Sequence, residues 1–132
     1  MAKVTSSIGT EPYRIEIKSP TGNVVIADEP PDKGGKDAGF SPKELLASAL
    51  AACTSATVSM YAKRKGWDLE EIKTEIELEW DEATSKTIIN RTIKFIGNLD
   101  EKQRSILLSV ANACPVHKIL SHPITINTTV HQ

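Results

Sequence analysis

The sequence lacks an excess of charge of either sign. Its 132 residues include 16 lysines and arginines against 17 aspartates and glutamates, which gives a formal net charge of -1. Surfaces that bind nucleic acid or anionic membranes carry a clear basic excess. We therefore expect no nucleic acid and no membrane among the partners of this protein.

Other signatures are missing as well. No Gly-x-Gly-x-x-Gly or Walker pattern follows a strand, which leaves nucleotide binding without support. The N-terminal residues include no apolar stretch of the length that a signal peptide needs, so we expect a cytoplasmic protein. The 2 cysteines and 3 histidines do not cluster as the three or four ligands of a metal site would. We expect neither a metal nor a cofactor.

The periodicity of apolar residues predicts a single α+β domain, 1–132, in the order ββαββαβ. Strands are indicated by alternation, as in Ile72 to Trp80, and helices by helical spacing, as in Ile106 to Cys114. A hairpin over Tyr13 to Ile26 precedes a long helix, and Ile124 to Val130 is predicted as the last strand. We expect a mainly antiparallel sheet with helices on one face.

The long helix has well-marked ends. Ser41 is a predicted N-cap, Pro42 suits the first helical position and Glu44 completes a capping box. Gly66 follows the last turn. About 24 residues make a rod of about 36 Å, so we expect it to run through the centre of the domain. Its uncharged stretch, Leu45 to Ala62, is too rich in alanine, serine and threonine for a membrane span, and a helix apolar nearly all round is otherwise buried in protein.

The segment 28–41 is rich in proline, glycine and aspartate and has no periodicity. Long segments without secondary structure inside a domain are usually functional or disordered. Because this loop leads straight into the long helix, it is well placed to wrap over a pocket. Disorder is the alternative.

Two cysteines in different surroundings stand out. Cys53 lies inside the alanine-rich helix and Cys114 near the end of the second helix, both on apolar faces, so the two can meet. A plain structural disulfide would be reduced in the cytosol. A redox pair is one interpretation, and two buried free cysteines packed as small hydrophobes is the other.

Cysteine reacts as the thiolate. Apolar neighbours raise the pKa of Cys53 by desolvation, and a position in the middle of a helix gains nothing from the helix dipole. A reactive Cys53 therefore requires a cation from another element. Arg91 is a candidate because it shares the inward phase of its strand, although a strand whose phase slips is the alternative. Arg14 falls on a charged strand face, and Arg64 and Arg104 are expected on helix surfaces.

Cys114 is expected on the last turn of the second helix, which Pro115 closes. The helix dipole disfavours an anion there, so Cys114 is the poorer nucleophile and the better resolving thiol. His117 could assist proton transfer or bind a metal with Cys114. A lone Cys-x-x-His is a weak metal signal, however, and a turn residue is the simpler interpretation.

Four segments carry a resemblance to a known family. They are the loop from ADEP to GGKDAGF, the runs SPKELLASALAACT and SATVSMYAKRKGW, and the distal GNLDEKQRSILLSVANACPVHKIL. Together they resemble the OsmC/Ohr family of osmotically inducible and organic hydroperoxide resistance proteins. The resemblance implies a thiol-dependent peroxidase, in which the cysteine matching Cys53 is oxidised to a sulfenic acid and then forms a disulfide with the one matching Cys114. It also implies an intertwined homodimer with active sites at the interface.

The chain departs from that family in its acid and its arginine. The hydroperoxide reductases have a glutamate directly after the helix-start proline, whereas here Lys43 follows Pro42 and Glu44 comes one position later. Their arginine comes from an N-terminal strand, where Arg14 is the nearest candidate within a motif that does not match. The candidate catalytic residues are therefore Cys53, Cys114, Glu44, Arg91 and Arg14.

Helix geometry places Glu44 and Cys53 on opposite faces of one helix. A catalytic Glu44 would therefore serve the other subunit of a dimer, and a purely capping glutamate is the alternative.

The sequence thus predicts a cytoplasmic, homodimeric peroxidase. Organic hydroperoxides are the expected substrate because the surroundings of Cys53 are apolar, and a dithiol reductant must reopen the catalytic disulfide. Two alternatives stay open. One is a thiol-disulfide or sulfane-sulfur handling protein that uses the same cysteines, and the other is a non-enzymatic binding protein of the same fold.

Overall fold

The computed structural model of the chain describes residues 1–131. The elements, in chain order, are β1 (Thr5–Ile8), β2 (Ile15–Lys18), β3 (Val24–Ala27), a 3₁₀ turn (Pro31–Lys33), α1 (Pro42–Lys65), β4 (Asp68–Asp81), β5 (Lys86–Asn98), α2 (Glu101–Asn112) and α3 (Pro115–Leu120). They form two compact units, Met1–Ala47 and Ser48–Gln132, with the boundary inside α1. The expected single domain over 1–132 stays a prediction.

The first unit contains a three-stranded antiparallel sheet in the order β1-β2-β3. In the centre of the sheet Ile17 of β2 pairs with Ser6 on one side and Val25 on the other. The predicted hairpin of β2 and β3 is therefore confirmed. The sequence reasoning missed β1, because Thr5–Ile8 shows no alternation and all four of its residues are exposed.

The loop 28–41 is organised by a buried carboxylate. Asp28 is 2% exposed, and its Oδ2 accepts hydrogen bonds from the backbone N–H groups of Lys36 (3.2 Å) and Ala38 (3.0 Å). Its Oδ1 accepts from the N–H of Glu29 at 2.8 Å. The hydrogen bond from the Ala38 amide has the largest influence on the pKa of Asp28 and lowers it. Burial raises this pKa, but the amides of Glu29 and Lys36 lower it further, so that it lies below its ordinary value. The segment therefore has a defined structure, and the alternative of a disordered loop is not what the structure shows.

The second unit contains the long antiparallel hairpin of β4 and β5. The predicted alternation of β4 is confirmed from Ile72 to Leu78, whose in-phase residues are partly buried while the glutamates between them are exposed. Trp80, predicted to continue the inward face, is 44% exposed. Behind the hairpin lies a small core in which Val58 and Ala62 of α1 pack with two α2 residues, Leu107 and Ala111.

Helix α1 has the predicted ends but not the predicted burial. Ser41 and Glu44 exchange both hydrogen bonds of the capping box. Only one stripe of the helix is buried, formed by residues at four-residue spacing, namely Leu50, Thr54, Val58 and Ala62. Other apolar side chains are exposed, including Met60 at 68%. The expectation of a helix enclosed at the centre is therefore wrong for the single chain, because the chain provides neighbours for one side of α1 only.

By length and composition α1 could cross a membrane, and 22% of its most apolar 18-residue stretch is buried. Core helices of soluble proteins pass the same test, so this single helix is a weak indication of a membrane span.

The C-terminal part differs from the expectation in two ways. Helix α2 begins with the predicted capping box of Asp100 and Gln103 but ends at Asn112, and Pro115 starts a new helix instead of only closing α2. The last predicted strand, Ile124 to Val130, is absent, since residues 123–131 form neither strand nor helix and are exposed. A strand needs a partner for its backbone groups. The fold class itself, an α+β protein with antiparallel sheets and a long helix, is confirmed.

Candidate active site

The structure brings the two cysteines together at the first turn of α3. Cys114 is the N-cap of α3, and its Sγ accepts a hydrogen bond from the backbone N–H of His117 at 3.3 Å. The backbone N–H of Val116 and the side chain of Cys114 are near enough to Cys53 to lower the pKa of its thiol. Both sulfurs are free thiols. The two cysteines therefore lie at the same turn of backbone.

The surroundings of Cys53 favour its thiolate. Burial, the largest single influence, raises the pKa of the Cys53 thiol. Hydrogen bonds from the Val116 N–H, the Cys114 side chain and the Thr57 hydroxyl together outweigh it, so the pKa lies below its ordinary value. The Thr57 contact is long, at 3.8 Å between Sγ and Oγ1. Because the thiolate is the reactive form of cysteine, this arrangement increases the reactive fraction of Cys53 at a given pH.

Two expectations about the thiols need correction. The sequence reasoning required a cation to activate Cys53, whereas a backbone amide and neighbouring side chains lower its pKa, and no arginine contributes. It also placed Cys114 at an unfavourable C-terminal helix end. Since α2 ends before Cys114 and α3 begins after it, the sulfur instead faces donor N–H groups.

Arg91 points inward, as its strand phase suggested, and the alternative of a slipped strand is not observed. Its guanidinium donates to three residues on three helices. These are Thr54 Oγ1 on α1 at 2.9 Å, Asn112 Oδ1 on α2 at 2.8 Å and His117 Nδ1 on α3 at 3.2 Å. Within residues 1–131 the ion pairs involve Lys18 and Lys36, so no carboxylate neutralises Arg91 there. The guanidinium is held entirely by neutral acceptors.

A cleft of about 390 Å³ opens next to Arg91. Its lining is formed by residues of α1, β5 and α3 with the turn that follows, namely Leu50, Thr87, Ile89, Arg91, His117, Leu120 and Ser121. Three of these side chains are aliphatic, and the charged group is Arg91. Leu50 is one helical turn from Cys53 on α1, and Val116, whose amide reaches Cys53, immediately precedes His117. The cleft and the thiols therefore share the same two helices.

The remaining candidates lie in the first unit. Arg14 is an exposed residue in the turn before β2, and Glu44 caps α1, where its Oε1 accepts from the N–H of Ser41 at 2.8 Å. A catalytic role for either residue stays a prediction. Arg104, expected on a helix surface, is partly buried and donates to the carbonyl groups of Phe95, Leu99 and Gly97. It ties the end of β5 to α2.

Sequence reasoning missed several parts of this site. Thr54 could have been noticed, because it is the one polar residue on the buried stripe of α1. For His117 the sequence suggests proton transfer, metal binding with Cys114 or a simple turn residue, but not a contact with Arg91, and Asn112 has no pattern that singles it out. The Val116 amide leaves no side-chain signal at all. For metal binding, residues 1–131 contain no group of three or more histidine, cysteine or acidic side chains that could hold an ion.

The protein is of the α+β class, with one thiol on its long helix and a second thiol beside it. Comparison with protein families identifies the family. The model of the family described as OsmC-like protein matches residues 34–129. The chain therefore belongs to the OsmC-like protein family, as the resemblance predicted.

Solved structures agree with this assignment. One is a Psychrobacter arcticus protein assigned to osmotic stress and detoxification, 29% identical, with a TM-score of 0.76 over 92% of this chain and 88% of that one. Another is the organic hydroperoxide resistance protein OhrB of Bacillus subtilis, 26% identical, with a TM-score of 0.62 over 90% and 89%. An OsmC-like protein from Mycoplasma pneumoniae, 20% identical, shares the fold with a TM-score of 0.77 over 92% and 87%. No curated protein sequence matches the chain.

Proposed function

We propose that the protein is a thiol peroxidase that reduces organic hydroperoxides, with Cys53 as nucleophile and Cys114 as resolving thiol. The observation that carries the proposal is a pair of neighbouring free thiols at the start of α3, of which Cys53 has a lowered pKa. The family, which includes organic hydroperoxide resistance proteins, supports the substrate class.

The reaction divides into three balanced steps. The Cys53 thiolate attacks the distal oxygen of the hydroperoxide, the O–O bond breaks, and the leaving alkoxide takes up a proton to give the alcohol. Cys53 is now a sulfenic acid, and Cys114 attacks its sulfur to form a disulfide with release of water. A dithiol reductant then reduces the disulfide and is itself oxidised to a disulfide.

The cleft supplies binding for the organic part of the substrate. Leu50, Ile89 and Leu120 offer aliphatic surface, and burying a methylene stabilises a complex by about 0.8 kcal/mol. Leu46 and Met60, which helical spacing puts on the same stripe as Cys53, are exposed in the single chain and do not line the cleft. Within residues 1–131 Arg91 engages three of its five N–H donors, which leaves two there for the peroxide oxygens.

A homodimer belongs to the proposal. The unburied side of α1 carries small residues, among them Ala51, Ala52 and Ser55, which permit close approach of a second helix. A second copy would also cover Met60, and it would let Glu44 reach the other subunit. We place the protein in the cytoplasm, where thiol reductants keep a cysteine pair reduced between turnovers.

Stopped-flow oxidation of the reduced protein tests the proposal. Cumene hydroperoxide should react at least about tenfold faster than hydrogen peroxide, because only the organic substrate gains apolar contact with the cleft. The reagents tested should also include a sulfane-sulfur donor such as glutathione persulfide. Fast reaction with the persulfide and none with peroxides would replace the peroxidase by a sulfur-handling function. No fast reaction of Cys53 with any reagent would favour a binding protein.

A further inference from the structure

The hydrogen bond between Arg91 and His117 fixes the state of the imidazole. An arginine side chain only donates hydrogen bonds, so at 3.2 Å from Arg91 Nη2 the Nδ1 atom of His117 must accept. A histidine that accepts at Nδ1 is neutral and carries its proton on Nε2. The observed geometry therefore requires a neutral His117.

We propose that His117 is a positioning residue for Arg91, whose neutral imidazole holds the guanidinium at the cleft beside the Cys53 helix. The proposal deepens the proposed function and rests on it, because Arg91 acts there on the peroxide oxygens. His117 itself touches neither the reacting sulfur nor the peroxide in this scheme. Its effect passes through the location of Arg91.

The three acceptors of Arg91 show why His117 is needed to hold the Nη2 end of the guanidinium. Thr54 is buried and receives Nη1, and its hydroxyl is itself fixed by donation to the carbonyl of Leu50 at 2.6 Å. Asn112 and His117 share Nη2, but Asn112 is exposed. Without the imidazole, the Nη2 end is held only by an exposed amide side chain, and the guanidinium can rotate away from the cleft.

Protonation of His117 would reverse the contact. A histidine that carries both protons donates at both nitrogens and cannot accept from Arg91. Two cationic groups would then lie 3.2 Å apart. The titratable and charged groups that contact His117 are Arg91 from β5, through Nδ1, and Cys114 at the start of α3, whose Sγ accepts from the backbone N–H of His117. Within residues 1–131 no carboxylate forms an ion pair with His117 or Arg91 to relieve the repulsion.

Three variants of the full-length chain test the proposal. His117→Leu removes the acceptor, His117→Gln keeps an acceptor that cannot gain a proton, and His122→Gln changes an exposed histidine outside the cleft as a matched control. For each we would measure the rate constant of oxidation by cumene hydroperoxide and the rate constant of Cys53 alkylation by iodoacetamide. The alkylation rate reports the thiolate alone, to which Arg91 does not contribute.

His117→Leu should slow peroxide reduction about tenfold or more while alkylation changes less than about twofold, because displacement of a positioned group costs rate without changing the thiolate. His117→Gln should restore most of the loss, and His122→Gln should match the wild type. Unchanged peroxide reduction in His117→Leu, or an equal fall in alkylation, would overturn the proposal.

A measurement without peroxide separates this proposal from the proposed function. The Arg91 side-chain N–H signals in a ¹⁵N NMR spectrum should be protected from exchange with water in the wild type and in His117→Gln, and averaged in His117→Leu. If no protein consumes peroxide but this pattern is found, the peroxidase function fails while the positioning of Arg91 by His117 holds. Protected signals in His117→Leu would overturn the positioning itself.

Discussion

Asp28 and Cys53 show one physical device used for two purposes. Each carries a group that is more acidic than usual because hydrogen-bond donors, backbone N–H groups among them, point at it. Asp28 has three such amides from its own loop and is 2% exposed. Cys53 has the amide of Val116, a neighbouring thiol and a distant hydroxyl, and it is only partly buried.

The two groups differ in how completely hydrogen-bond donors and the surrounding chain enclose the anion. The carboxylate of Asp28 is enclosed by its own chain, so its hydrogen bonds hold the loop together and leave no room for a reagent. Cys53 has only one backbone amide among its donors and is only partly buried. Under the proposed function, Cys53 is the anion that reacts, whereas the fully hydrogen-bonded carboxylate of Asp28 holds a loop.

The largest effect is expected from the thiols themselves. Cys53→Ser should abolish peroxide consumption, by about 1,000-fold or more, since a serine hydroxyl cannot replace the nucleophilic thiolate. Cys114→Ser should permit one oxidation and then stall, with sulfenic or sulfinic acid on Cys53 in the mass spectrum. Normal turnover of Cys114→Ser with a dithiol reductant would contradict its resolving role.

The second-largest effect is expected from replacing Asp28. In Asp28→Asn an amide N–H₂ group would oppose the N–H groups that now donate to a carboxylate oxygen, so the loop 28–41 should open. Limited proteolysis within the loop should be several-fold faster, and the loop amides should exchange more quickly with deuterium. Asp32→Asn, at an exposed aspartate of the same loop, is the control and should behave like the wild type. Equal protection of the loop in Asp28→Asn would show that other contacts hold it.

Acidification should act on the same loop. The pKa of Asp28 is lowered in the folded protein, so its stabilising contribution is complete above the ordinary aspartate pKa of about 3.9 and is lost as pH falls through the lower folded value. Hydrogen exchange of the loop amides should therefore stay slow at neutral pH and increase at strongly acid pH, before the α2 amides respond. Simultaneous loss of protection in both segments would indicate global unfolding instead.

The alkylation of Cys53 should reveal the lowered thiol pKa. The thiolate is present above the folded pKa and lost below it, so the iodoacetamide rate plotted against pH should have its midpoint below that of free cysteine, about 8.5. Mass spectrometry should assign the early adduct to Cys53, since Cys114 is fully buried. A midpoint at or above the value for free cysteine would mean that burial outweighs the hydrogen bonds.

The smallest effect is expected from Thr57→Val. The contact between Sγ and Oγ1 is long, at 3.8 Å, and it is the weakest of the three influences that lower the pKa of Cys53. The midpoint of alkylation should therefore rise only slightly, while Thr57→Ser should leave it unchanged. A large rise would show that the hydroxyl, and not the Val116 amide, is the main donor.

Much of the fold could be predicted because side chains carry its signals. Ser41 and Glu44 mark the start of α1, and the alternation around Ile76 marks β4. Pro115 was ambiguous, because proline both ends helices and suits the first position of a new one. The expected strand at Ile126 has the right composition, yet pairing depends on a neighbour that no local pattern encodes.

The candidate site was predictable to a lesser extent for a similar reason. Cys53 and Cys114 are rare residues and were found at once, and the strand phase indicated an inward Arg91. The donors that lower the pKa of Cys53 include a backbone amide, which every residue except proline possesses. Its role comes from the position of α3, and this position is a tertiary property.

The order of residues at the start of α3 has a consequence for what sequence change the site can tolerate. Pro115 has no N–H group, so the first two amides of the helix are those of Val116 and His117. The Val116 amide lowers the pKa of Cys53, and the His117 amide donates to Cys114 Sγ. A single inserted or deleted residue between Cys114 and His117 would shift this assignment by one and leave a sulfur without its donor. Insertions and deletions within these four residues should therefore be poorly tolerated, whereas residues 123–131, which are exposed and form neither strand nor helix, should tolerate them.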